Sequence, residues 1–168
     1  MSLEPDDVPA PQLRTMQIIA AAMMMGIVFA LMIFLVLVTG QNKQVITDLD
    51  HLQVVSIVAV VLFATNAPLS VAMPGIVSRN ALRPLAASAS PVDGLMALRQ
   101  TTLIIGLALL EGAAMLACIA FFLECHVIDL IVVGLALAFM AARFPTRNRV
   151  HAWLAQQQAA LEELRQMH

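Results

Sequence analysis

Few side chains in this 168-residue chain could do chemistry, and they fall in two places. The first is Glu111, the single acidic or basic residue in the run IIGLALLEGAAMLACIAFF, residues 104–122. A carboxyl surrounded by apolar and small residues is desolvated, which favours its neutral form unless a cation is near. Such an acid is by default a site for a proton, an ion or a ligand, and otherwise a polar contact between helices. Asn66 is the expected partner, with Thr65 beside it. Asn66 and Glu111 lie roughly 10 and 15 Å, respectively, from the same end of their helices at 1.5 Å per residue. Pro68 also frees the carbonyl of residue 64, because it has no N–H to donate. These features predict a polar pocket between the second and third apolar runs, level with Met23, Met24 and Met25.

The second place is Glu124, Cys125, His126 and Asp129, which offer carboxylate, thiolate and imidazole at short spacing. That spacing matches no standard zinc pattern, so the expectation is a polar turn ending two helices, with the four only weak metal candidates. The consecutive methionines at 23–25 point about 100° apart on a helix and cannot converge on one soft ion. They read as packing residues. The chain has no G-x-S-x-G, H-E-x-x-H, phosphate-binding loop or dinucleotide fingerprint, and the expectation is a protein that is not an enzyme and carries no cofactor.

What must position these residues follows from composition. The chain is 61% hydrophobic and 12% charged, with a mean hydropathy of +0.88. A soluble domain is about half apolar and about a quarter charged, so the chain reads as membrane-embedded. A formal net charge of −2 gives no reason to expect nucleic acid. Four apolar runs stand at about 15–38, 53–73, 101–123 and 126–142. About 20 residues cross a bilayer core, so three suffice and the fourth is short unless Cys125 and His126 extend it. The first run is too long for the apolar core of a cleaved signal, and LVLVTGQ has no A-x-A-like site. The expected architecture is an all-α integral membrane four-helix bundle over 15–142, behind a disordered tail at 1–14.

Arginines set the expected orientation. Arg14, Arg79, Arg83, Arg99, Arg143, Arg147, Arg149 and Arg165 fall on one side of the four runs and Lys43 alone on the other. That bias places both termini in the cytoplasm of a multi-pass inner-membrane protein. Pro74, Gly75, Pro84, Pro91 and Gly94 predict a loop with at most short helical pieces over 74–100. From Thr146, a plausible N-cap, TRNRVHAWLAQQQAALEELRQMH predicts a cytoplasmic amphipathic helix over 146–168. Its seam is Val150, Leu154, Gln157, Leu161, Leu164 and His168, which lies on the bilayer or bundle or pairs with another helix. Small residues four apart (Ala22, Gly26 and Ala30; Ala108 and Gly112; Ala113 and Ala117; Gly134, Ala138 and Ala142) suit close helix packing, within the chain or between copies.

Two resemblances rest on these stretches. GLALLEGAAMLACIAFFL, residues 106–123, is similar to the carboxylate helix of rotary ATPase proteolipid subunits, which implies an ion-carrying role for Glu111. The chain has neither the Gly-rich partner helix nor a basic loop at the family's distance from the carboxyl. RTMQIIAAAMMMG, IIGLALLEGAA and RFPTRNRV, at 14–26, 104–114 and 143–150, resemble small, uncharacterised four-span bacterial membrane proteins of planctomycete type. That likeness implies a bacterial inner-membrane bundle and transfers no activity. The expected function is therefore a non-enzymatic membrane protein that packs in the lipid bilayer with a second copy of itself or a larger membrane complex. The alternative is a proton- or cation-linked protein using Glu111.

Overall fold

The computed structural model describes residues 10–41, 43–47, 53–86, 91–150, 152–154 and 156–157. They form four helices, α1 (Ala10–Gly40), α2 (Val54–Ala86), α3 (Pro91–Glu124) and α4 (Val127–Ala142). No strand occurs among the described residues, only an isolated parallel bridge between Ile46 and His126. The fold is an all-α four-helix bundle. Residues 10–14 of the tail expected to be disordered over 1–14 belong instead to α1; its residues 1–9, and 151, 155 and 158–168 of the amphipathic segment, lie outside the described residues.

Helix α3 is the centre. Half of its most apolar stretch is buried, against 11% for α1 and 17% for α2. Helices α1, α2 and α4 all pack on α3, and α4 also touches α1 and α2. The core interleaves Ile27 of α1, Ala59 of α2, Leu107, Leu110 and Ala114 of α3, and Val133 and Met140 of α4. Alanines such as Ala113, Ala114 and Ala117 are fully buried. They let neighbouring backbones approach α3 closely. Met25, Phe29, Met32 and Val36 of α1 stand largely exposed, at four- and three-residue steps that make one outward apolar stripe. In water that stripe would be an aggregation surface; in a bilayer it is the lipid-facing side.

Among the described residues, three helices are long and apolar enough to cross a membrane: Pro11–Gly40, Val54–Val77 and Gly94–Glu124. Helix α4, at 16 residues, reaches that length only together with Arg147–Leu154, from which it is bent by 69°. Cys125 and His126 do not extend α4, because the chain turns there: Cys125 has φ 54° and His126 is the N-cap. Val150 and Leu154, the first two seam residues of the C-terminal segment, are buried in the bundle core. That part of the segment lies on its own bundle.

The loop expected over 74–100 is a correction. Helix α2 continues through Pro74 and Pro84 to Ala86, and α3 begins at Pro91. Pro91 occupies the first helical position, where a missing N–H costs nothing. Pro74 cannot donate to the carbonyl of Ser70, but the Arg143 guanidinium does so instead, Nη1 to O at 2.6 Å. A substitute donor is what lets a proline stay inside a membrane helix. Beyond the proline-rich stretch, Leu95, Met96 and Leu98 are buried in the core and give the start of α3 its packing.

Candidate functional site

The chain turns from α3 into α4 over Glu124–His126, and the polar residues there join three segments. Helix α2 begins after Gln53, whose carbonyl accepts the first helical bond from the Ile57 N–H at 3.1 Å. Glutamine is a weak N-cap, so the first N–H groups of α2 need another acceptor. Glu124 supplies it from α3. Its Oε1 accepts the Val55 N–H at 2.9 Å and its Oε2 the Ser56 N–H at 2.8 Å. A carboxylate there also meets the positive end of the α2 dipole.

Ser56 carries the connection onward. Its hydroxyl donates to Asp129 Oδ2 at 2.7 Å, with both residues fully buried. Asp129 Oδ1 is buried without a hydrogen bond. His126 starts α4: its Nδ1 accepts the Ile128 N–H at 3.2 Å and its carbonyl the Asp129 N–H at 3.3 Å. The segment 43–47 closes over the turn. The Ile46 N–H donates to the Cys125 carbonyl at 2.8 Å, and the Val127 N–H donates to the Ile46 carbonyl at 3.0 Å. Lys43 donates to the Phe122 carbonyl at 3.4 Å and lies 5.4 Å from that ring's centre. Glu124 and His126 thus accept from backbone N–H groups, whereas the Asp129 carboxylate is bonded to the Ser56 hydroxyl. Among the described residues no group of three His, Cys, Asp or Glu is placed to hold a metal ion.

The structure does not bring Glu111, Asn66 and Thr65 together. Asn66 Nδ2 donates to the Leu109 carbonyl at 3.1 Å. Thr65 is exposed and its hydroxyl donates to its own helix, at Val61 and Leu62. The Glu111 carboxylate lies instead against α1, where a Cβ added to Gly26 would stand 3.7 Å from Oε1. The reason is azimuth. Leu109 and Glu111 are two residues, about 200°, apart around α3, so the position facing α2 puts the carboxyl on the far side. Glu111 is half-buried, with Gly26, Ala22, Ala108 and Gly112 exposed near it. No hydrogen bond to it is found among the described residues. Met23 and Met24 pack against the core at this level, while Met25 is exposed.

Sequence reasoning missed a second polar region, at the other end of the bundle. Arg143, the residue after α4, reaches Ser70 beside Gly106, where an added Cβ would come within 3.0 Å of its Nη1 and 3.3 Å of the Ser70 carbonyl. Burial holds the Arg143 guanidinium below its usual range. Arg99, one heptad before Gly106, lies over the Trp153 ring at 5.3 Å. Arg149 caps α4 by donating to the Ala142 carbonyl, a favourable place for a cation. Three arginines thus line one cavity of about 260 Å³. The sequence signals were a proline four residues after Ser70 and a glycine seven after Arg99.

The fold and these contacts define a multi-pass helical membrane protein whose ends are tied by polar side chains. No protein-family model, curated protein or solved structure matches the chain.

Proposed function

We propose that this protein is a non-enzymatic bacterial inner-membrane protein whose bundle docks, through the seam between α1 and α3, with another transmembrane helix from a second copy or a larger complex. The observation that carries this reading is Glu111, half-buried against Gly26 and given no donor by any described residue. A charged acid in mid-bilayer costs roughly 3 kcal/mol on insertion scales, an expense that a neighbouring helix with a donor would remove. Ala22 and Gly26 on one side and Ala108 and Gly112 on the other are exposed, which leaves room for a backbone to approach. Both termini are proposed to be cytoplasmic, from the eight-to-one distribution of basic residues.

The alternative, proton or cation transfer at Glu111, has less support because Asn66 is engaged by Leu109 and Thr65 by its own helix. A photo-crosslinking residue placed at Gly112 tests the two. In native membranes it should capture a protein neighbour, and Glu111→Leu should abolish the adduct while Glu111→Gln retains part of it. Crosslinks to lipid alone, or ion flux in reconstituted vesicles that depends on Glu111, would overturn the docking reading.

A further inference from the structure

Arginines near the ends of apolar runs in membrane proteins usually extend their heads into water. Arg99 and Arg143 do not. Both are half-buried. Arg143 is held at Ser70 by a 2.6 Å bond, and Arg99 is held over Trp153. With Arg149 they line the cavity together with Thr102, Leu103 and Val71. The acids whose side chains are described are Glu111, in the middle of α3, and Glu124 and Asp129, at the opposite end of the bundle. The cavity therefore collects three positive charges, and none of these three described carboxylates faces them. Like charges at reduced dielectric repel, and an anion between them reverses the sign of that interaction.

We propose that this cavity binds a phosphate oxyanion, either free or in a phospholipid headgroup. The planar fork of a guanidinium matches two oxygens of a phosphate, and each arginine here has N–H groups beyond those it gives to the backbone. The volume, about 260 Å³, is several times the roughly 30 Å³ share of a water molecule, so a tetrahedral oxyanion fits with part of its hydration. The depth is also right. The cavity lies at the ends of the apolar runs 53–73, 101–123 and 126–142; a bilayer centred on those runs would put it at the headgroup level, where basic pockets between helices suit phosphorylated headgroups. Gly106 is part of the construction, because any side chain there would press on the Arg143 head. This site is independent of the seam at Glu111.

Trp153, the only tryptophan in the chain, lies on Arg99 and reports on the cavity. The test uses the full chain in maltoside micelles, which contain no phosphate. Its Trp153 fluorescence is followed against inorganic phosphate and, separately, against phosphatidylglycerol doped into the micelle. Chloride at matched ionic strength is the reference. A saturable change is expected in at least one arm: saturation by inorganic phosphate identifies a free-ion site, and response to the lipid alone identifies a headgroup site. Arg143→Gln and Arg149→Gln should each weaken the response at least tenfold, whereas Arg14→Gln, outside the cavity, should leave it unchanged. Arg149 is exposed, so its variant keeps the comparison valid if Arg143→Gln fails to fold. No saturable change in either arm, or equal weakening by Arg14→Gln and Arg149→Gln, would overturn the proposal.

Discussion

Removing the Glu124 carboxylate should unfasten the start of α2 from the end of α3. In Glu124→Ala, the N–H groups of Val55 and Ser56 lose acceptors at 2.9 and 2.8 Å. Ser56 is fully buried and cannot turn to water, so its stranded N–H costs about 1–3 kcal/mol. Val55 is half-buried, and its loss resembles that of an ordinary N-cap, about 1 kcal/mol. The sum is about 3 kcal/mol, roughly a hundredfold in the folding equilibrium. Glu124→Gln keeps one acceptor oxygen and should cost about half as much. Gln53 is already the N-cap residue, so Gln53→Asp in the Glu124→Ala background should restore about 1 kcal/mol. Equilibrium unfolding in mixed micelles, followed by circular dichroism, reads all four proteins. A Glu124→Ala variant within 0.5 kcal/mol of the parent, or one that Gln53→Asp does not improve, would refute the capping argument.

Ser56→Ala removes the hydrogen bond from the Ser56 hydroxyl to Asp129 Oδ2, and should lower stability by about 1–3 kcal/mol in the same assay. Gly106→Ala places a methyl group 3.0 Å from Arg143 Nη1. It should destabilise by about 1–3 kcal/mol through overpacking and weaken the Trp153 response to phosphate. Gly26→Ala meets Glu111 Oε1 only at an ordinary 3.7 Å; in the same unfolding assay it should be neutral, while Gly26→Leu should block the crosslink from Gly112. Reporter fusions after Gln41 should read periplasmic, and those after Gly94 and His168 cytoplasmic; a periplasmic C-terminus would leave an odd number of spans.

The sequence by itself determined the bilayer as solvent, the four apolar segments and the turn between the last two. Each of these depends on local composition, and local composition is what hydropathy sums. The run at 101–123 could be read as a helix without knowing its neighbours, and Glu124 to Asp129 as the polar break that follows it. Tertiary structure decided everything that depends on the direction a helix faces. Asn66 and Glu111 sit at similar depth, yet a rotation of about 200° between Leu109 and Glu111 separates them. The α2 start is capped by a residue 68 positions away and the Asp129 carboxylate by one 73 positions away. Pro74 looked like a helix break because the donor that compensates for it, Arg143, is 73 residues beyond Ser70. A one-dimensional pattern fixes how deep a residue lies in the membrane. The angle at which it leaves its helix selects its partner, and that angle is set only when the helices pack.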